Sequence, residues 1–201
     1  MTVAGITLAK SPPKGCHQVS ARQQGVTPPL ANPSWIERLF ADPDWAWLWL
    51  IVRVWVGYQW FMAGWEKIQN PAWTSGQALR GFWTRAVATE PTAMIHYDWY
   101  RRFIEYMLRT GQYTWFAKLV MVGELAVGIA LIVGFLTGIA AFFGAFMNFN
   151  YMMAGTASTN PVLFTLAILL MLAWRIAGYW GLDRWVLPAL GARSKVQVRA
   201  R

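Results

Sequence analysis

Residues 113–134, YTWFAKLVMVGELAVGIALIVG, form an apolar stretch with one acid, Glu124, near its middle. A helix that crosses a bilayer needs about 20 mostly apolar residues, and this stretch has that length. Three further apolar stretches lie at roughly 45–65, 137–154 and 160–180. We therefore predict an all-α integral membrane protein, built as a four-transmembrane-helix bundle.

The composition agrees with a membrane protein. Of the 201 residues, 56% are hydrophobic and only 13% are charged. Many of the 14 tryptophans stand at the ends of the apolar stretches, where amphipathic rings prefer the headgroup layer. The net charge of +9 indicates topology and contact with anionic membrane lipid. Nucleic-acid binding is not expected, because no basic fold outside the membrane is visible.

The chain divides into three segments. Residues 1–44 form a largely disordered N-terminal tail, since they include KSPPKG, TPP and NPS and hold no long apolar run. Residues 45–190 form the membrane domain, and residues 191–201 form a basic C-terminal tail. Four spans place both termini on one side, and the basic tail places that side in the cytoplasm. We predict an N-in and C-in topology.

The long loop between the first two apolar stretches is too aromatic to be disordered. Residues 76–90 and 97–109 each show the pattern of a short amphipathic helix. In the second, the spacing predicts an apolar face of Trp99, Phe103, Tyr106 and Met107. Such helices can lie in the membrane interface and cover one end of the bundle, with or without a chemical role.

Residue usage limits the cofactors that the chain can hold. Only two histidines and one cysteine occur, and neither His17 nor His96 lies in an apolar stretch. Haem groups and iron–sulfur clusters need more ligands than these, and no apolar stretch carries a cluster suited to a metal ion. We expect any redox function to use a diffusible carrier or a partner subunit, with no haem, Fe–S cluster or metal held here.

Charges inside apolar stretches are costly, so they are candidate functional residues. Counted from the helix ends, Arg53, Glu124, Arg175 and Asn148 fall in neighbouring layers. We predict that the three charges converge in one desolvated pocket with surplus positive charge. The pocket is either a structural Arg–Glu–Arg bridge or a site for a quinone or a small oxyanion. A desolvated Glu124 can exchange a proton with a quinol.

A second polar set lies near the outer ends of the helices. It comprises Glu66, Lys67, Asn70, Asn150, Ser158, Thr159 and Asn160. For Lys67 alone, we expect the side chain to extend to the lipid headgroups. Together these residues are candidate binding groups for a substrate at the membrane surface.

Several strings carry a family resemblance: RVWVGYQWFMAGWEKIQNPAW, VGELAVGIALIVGFLTGIAA, MNFNYMMAGTASTNP and WRIAGYWGLDRWVLP. Their order and spacing resemble the DoxX family, most of all the DoxD-like membrane subunits of thiosulfate:quinone oxidoreductases. The resemblance covers about 45–190. It implies a four-helix bundle in a bacterial or archaeal cytoplasmic membrane. The residues that match the polar pattern of the family are Arg53, Glu66, Lys67, Glu124, Asn148, Asn150, Asn160 and Arg175.

The resemblance also implies an activity, in which thiosulfate is oxidised to tetrathionate and electrons pass to quinone as diffusible acceptor. Glu124 would then accept the proton, with Arg53 or Arg175 stabilising the reduced oxygen. A second oxidoreductase subunit is an expected partner, and the Gly/Ala faces permit a homo-oligomer. The alternative is a non-catalytic membrane anchor for soluble redox proteins. A small transporter is less favoured, because the chain lacks an internal repeat.

Overall fold

The computed structural model describes residues 33–88 and 94–191, and these residues are helical, with no strand among them. The chain order of the helices is α1 (Ser34–Ala41), a 3₁₀ turn (Pro43–Trp45), α2 (Ala46–Gln69), α3 (Pro71–Thr74), α4 (Gln77–Val87), α5 (Asp98–Arg109), α6 (Tyr113–Val133), α7 (Thr137–Met153), α8 (Asn160–Leu172), α9 (Trp174–Ala177) and α10 (Asp183–Ala189). The predicted all-α class is confirmed.

The four apolar stretches each form a helix, but the helices differ in length and polarity. Within the described ranges, only α6 is both long and apolar enough to cross a membrane, and α8 is a shorter apolar helix of 13 residues. Helix α7 has 17 residues, and α2 has 24 but includes Arg53, Glu66 and Lys67. The structure supports one membrane span by length and composition, and the four-span arrangement stays a prediction.

The long helices pack as two pairs, α2 with α6 and α7 with α8, which also contact one another. Glycines allow the backbones of α2 and α6 to approach closely. A Cβ on Gly64 would lie 2.9 Å from the Leu125 nitrogen, and one on Gly128 would lie 2.5 Å from the Phe61 nitrogen. Because small residues allow backbones to touch, α2 and α6 are held in one register. The core between the pairs includes Trp49, Val56, Trp60, Leu131 and Leu170.

The segment between α2 and α6 forms a second layer with its own apolar core. Helices α4 and α5 confirm the two predicted amphipathic helices, with ends shifted by a few residues. The predicted apolar face of α5 is turned only partly towards the protein, and a second apolar face is buried instead. Tyr100, Ile104 and Met107 are buried, whereas Trp99, Phe103 and Tyr106 are exposed. Both triplets repeat at helical spacing, and the buried one packs against α4 and α7 residues.

The predicted terminal tails lie mostly outside the described residues. Within the predicted N-terminal tail, however, α1 is helical and packs on α2. The Trp49 indole donates to the Leu39 carbonyl oxygen at 2.7 Å, and the rings of Phe40 and Trp49 are 5.1 Å apart. This contact orders residues that the composition assigned to a disordered segment. Of the C-terminal tail 191–201, only Gly191 is described.

Candidate functional site

A buried ion pair joins α2 to α6. Lys67 Nζ lies 2.9 Å from Glu124 Oε2 and 3.0 Å from Oε1, and Tyr151 donates its hydroxyl to Oε1 at 2.7 Å. Glu124 is 1% exposed, and the Lys67 side chain is 19% exposed. Lys67 also donates to the Ala63 carbonyl oxygen and lies 5.1 Å from the centre of the Trp73 ring. The carboxylate is therefore balanced by an ammonium group and a phenol from two other helices.

The helix packing explains why these side chains meet. Gly64 sets α2 against Leu125 and Glu124 at near-contact distance, and Lys67 follows one turn later on the same helix face. Tyr151 approaches from α7, three residues after Asn148. Three helices therefore converge on one carboxyl group.

A cavity of about 400 Å³ opens beside this ion pair. It lies between the long helices and the layer of α3, α4 and α5. Its walls are largely aromatic, and its polar residues include Glu124, Lys67 and Asn148. The aromatic lining comprises Trp60, Trp73, Phe82, Trp83, Tyr100, Phe103, Phe116 and Tyr151. Pockets with apolar walls and few polar groups are typical of small-molecule sites.

Apart from Glu124, whose Oε2 is paired with Lys67, two residues of the cavity lining carry buried polar atoms without a partner. Asn148 is 0% exposed, and both its Nδ2 and its Oδ1 lack a hydrogen-bond partner within the described part of the chain. The indole nitrogen of Trp60 is also buried and unpaired there. Buried polar groups are normally hydrogen-bonded, and exceptions call for an explanation such as a ligand.

The rim of the cavity is closed on one side by a contact between α5 and α7. Tyr100 donates its hydroxyl to the Asn150 carbonyl oxygen at 3.0 Å, while Asn150 Nδ2 donates to the Phe146 carbonyl oxygen at 2.8 Å. Burial raises the pKa of Tyr100 to about 12, so this hydroxyl keeps its proton near neutral pH. The bond fixes α5 over the cavity.

The model of the DoxX family matches residues 48–157, which is more than half of the chain. The chain belongs to the DoxX family. It is accordingly a membrane protein. Comparison with curated proteins and with solved structures gave no match. The matched region contains most of α2, all of α6 and α7, and the ion pair between Lys67 and Glu124.

The DoxX structure brings together most of the predicted binding residues. Lys67, Glu124, Asn148, Asn150 and Asn160 all line the cavity. Asn160 donates to the Thr156 carbonyl oxygen at 3.0 Å. Glu66, in contrast, is exposed and is not among the lining residues.

Lys67 does not extend to the headgroups as the sequence suggested. Its ammonium group turns inward to Glu124, because the close packing of α2 on α6 places the acid within reach. The charge-assisted contact with a buried acid at 2.9 Å stabilises the ammonium group more than contact with the membrane interface would. The expectation for this residue is wrong, and the pair makes it part of the site.

Arg53 lies at the other end of α2, away from the cavity. Its Nη2 donates to the Trp180 carbonyl oxygen at 3.4 Å, and it interacts electrostatically with Asp183. A Cβ on Gly134 would lie 1.6 Å from Arg53 Nη1, so the side chain is packed against the turn after α6. The prediction that Arg53 and Glu124 lie in neighbouring layers of the bundle is wrong, because the first two turns of α2 extend beyond the end of α6.

Arg175 is exposed and lies over the ring of Trp174 at 5.4 Å. The predicted convergence of Arg53, Glu124 and Arg175 in one pocket is therefore wrong. The acid is balanced by Lys67, and the pocket has no surplus positive charge from the arginines. The catalytic role of Arg53 or Arg175 stays a prediction.

Tyr151 and Trp60 line the cavity but were not among the predicted site residues. Both carried a usable signal. Tyr151 follows Asn148 by three residues, which places it on the same face of α7, and Trp60 shares a helix face with Gly57 and Gly64. No group of three or more His, Cys, Asp or Glu placed to hold a metal ion occurs in residues 33–88 and 94–191.

Proposed function

We propose that this DoxX protein is the membrane subunit of a quinone-linked oxidoreductase of the DoxD type, embedded as a four-span bundle. Quinone is its diffusible acceptor, and its head group binds in the aromatic cavity beside Glu124. The observation that carries the proposal is the buried Lys67–Glu124–Tyr151 cluster at the wall of a 400 Å³ cavity. Flat aromatic walls suit a ring, and the cluster provides groups that can hold and transfer a proton.

The overall reaction balances with thiosulfate as the reductant. Two thiosulfate ions lose one electron each and join through a new S–S bond to give tetrathionate. Quinone takes up the two electrons and two protons and becomes quinol. Because quinone takes up protons as it is reduced, the role of Glu124 in this direction would be to deliver a proton to the ring oxygen and not to accept one. Lys67 and Tyr151 contact its carboxyl group and would hold it in position.

The two substrates need different sites. Because Lys67 and Glu124 offset each other, the cavity offers little attraction to a sulfur dianion. Exposed arginines of the loop layer, Arg80, Arg85 and Arg102, offer positive charge outside it. In this proposal thiosulfate approaches the loop layer, alone or on a second oxidoreductase subunit, and quinone enters from the lipid.

A turnover assay tests this function. The protein is reconstituted in lipid nanodiscs, and thiosulfate-dependent reduction of duroquinone is followed together with tetrathionate formation. Loss of a positioned acid lowers such rates by about 100-fold or more, so Glu124→Gln should do the same. Glu105→Gln, which changes an exposed acid of α5, is the matched control. A Glu124→Gln variant with full turnover would contradict the assignment.

The exposed aromatic side chains of α5 favour a second function, that of a membrane anchor for a soluble redox protein. Trp99 is 62% exposed and Tyr106 is 53% exposed. In this alternative the purified chain shows no turnover alone, and activity appears only when a partner that carries its own redox centre is added.

A further inference from the structure

The unpaired polar atoms of the cavity lining differ in what they can bind. The Trp60 indole N–H can only donate a hydrogen bond, whereas the Asn148 amide has both a donor and an acceptor. Trp60 is 2% exposed and Asn148 is 0% exposed. Neither residue forms a side-chain hydrogen bond within the described ranges. An occupant that pairs with Trp60 must offer a hydrogen-bond acceptor, such as a carbonyl oxygen, whereas Asn148 can pair with a donor or an acceptor.

The two groups lie beside the same face of α7. A Cβ on Gly144 would lie 3.1 Å from Trp60 Nε1, so the indole nitrogen lies close to α7 at that residue. Asn148 follows Gly144 by four residues, slightly more than one helical turn, which is a rise of about 6 Å. Tyr151 comes next on this face, and its ring centre is 6.4 Å from that of Trp60. Trp60 and Asn148 therefore border one small region next to the Tyr151–Glu124 bond.

We infer that Trp60 and Asn148 form an oxygen-binding subsite and that Trp60 makes it selective for the oxidised form of the quinone. This inference rests on the proposed function. A quinone carbonyl oxygen only accepts hydrogen bonds, and the indole N–H matches it. A quinol hydroxyl group donates, and its oxygen is the weaker acceptor, so it gains little from Trp60. Asn148 can donate to the carbonyl group or accept from the hydroxyl group, and it serves both forms.

Gly144 has a part in this arrangement. With only a hydrogen at residue 144, no side chain covers the indole N–H, whereas a methyl group there would crowd it at 3.1 Å. Gly144→Ala is therefore a second way to weaken the subsite, and it removes no polar group. Because Gly144→Ala keeps the Trp60 side chain, it distinguishes a weakened indole hydrogen bond from the replacement of the tryptophan ring.

The test measures equilibrium binding of duroquinone and, under anaerobic conditions, of durohydroquinone to the full chain in nanodiscs. Trp60→Phe should lower the affinity for duroquinone about tenfold and change that for durohydroquinone less than about twofold. Trp55→Phe, on the same helix and 45% exposed, is the matched control and should change neither. Gly144→Ala should act like Trp60→Phe, and Asn148→Leu should weaken both forms about tenfold.

The outcomes separate this inference from the function on which it rests. A wild-type protein that binds neither form refutes the proposed function, and the inference with it. If the wild type binds duroquinone but Trp60→Phe behaves like Trp55→Phe, only the subsite is refuted. Equal weakening of both forms by Trp60→Phe overturns the selectivity. If Trp60→Phe does not fold, an unchanged affinity ratio in Gly144→Ala overturns it as well.

Discussion

Helix α2 carries two charged residues on its protein-facing side, Arg53 and Lys67, and their surroundings are opposite. Lys67 lies at the wall of a cavity and pairs with Glu124 at 2.9 Å. Arg53, about 21 Å away along the helix axis, is packed against Gly134 and Gly181 in the turns that follow α6 and α9, and it does not line this cavity. A buried charge alone does not indicate a functional site. A buried charge that also lines a cavity, as Lys67 and Glu124 do, is the stronger candidate for a functional residue.

The two regions also differ in how their charge can respond. An arginine does not lose its proton in proteins, so the charge of Arg53 is fixed. A carboxyl group can become neutral when its partner is removed. We therefore expect changes near Arg53 to act on stability, and changes near Glu124 to act on turnover with a smaller cost to the fold.

The largest effect is expected for Asp183→Ala. Asp183 accepts from the Leu136 nitrogen at 2.5 Å and from the Thr137 nitrogen at 2.9 Å, and it balances Arg53. Its removal leaves the N–H groups of Leu136 and Thr137 without their acceptor and takes away the acid that interacts electrostatically with the buried Arg53. We expect a cost of about 3–5 kcal/mol in the free energy of unfolding. Unfolding in mixed micelles measures this. The control is Asp44→Ala, which changes an exposed acid. Equal stability of the two variants would show that the region around Arg53 is not structural.

Gly134→Ala should be next in size. Gly134 has φ of 70°, and a Cβ there would lie 1.6 Å from Arg53 Nη1. Gly111 has φ of 71° with nothing within 4 Å of a Cβ. Gly111→Ala should therefore cost about 1 kcal/mol, for backbone strain alone. Gly134→Ala should cost about 3 kcal/mol, because overpacking is added. Similar thermal unfolding midpoints for the two variants would argue against tight packing around Arg53.

At the cavity, Lys67→Met should cost less than the change at Asp183. Glu124 can take up a proton once the ammonium group is gone, so we expect a loss of about 1–2 kcal/mol in the free energy of unfolding. Lys118→Met, an exposed lysine on α6, is the control. A loss as large as that of Asp183→Ala would mean that Glu124 stays charged without its partner.

Tyr151→Phe should have the smallest effect on stability. It removes one hydrogen bond of 2.7 Å to Glu124 and keeps the ring, at a cost of about 1 kcal/mol. Tyr58→Phe, which changes an exposed tyrosine of α2, should cost nothing measurable. If both variants match the wild type in unfolding, the hydroxyl does not support the carboxyl group.

The sequence predicted the helices well and their contacts poorly. Apolar runs and amphipathic periodicity depend on local spacing, so α4, α5 and the long helices were found. The partner of Glu124 was not, since it depends on the register between α2 and α6, which Gly64 and Gly128 set through contacts distant in sequence. Counting depth from helix ends assumed that all helices start in one plane, and α2 starts two turns beyond α6.

The buried face of α5 was not predicted, for a different reason. Tryptophan and tyrosine suit a membrane interface as well as a protein core, so Trp99 and Tyr106 marked an apolar face that is exposed. Tyr100 and Ile104 on the next face are buried. Composition cannot distinguish the two faces, whereas packing against α4 and α7 does.

The central claim is that Glu124 changes its protonation when quinone in the adjacent cavity is reduced. Electrochemically induced infrared difference spectroscopy of the protein with duroquinone tests this most directly. We predict a carboxylic-acid carbonyl band that changes between the oxidised and reduced states, is absent in Glu124→Gln and persists in Glu105→Gln. An unchanged difference spectrum in Glu124→Gln would contradict the account.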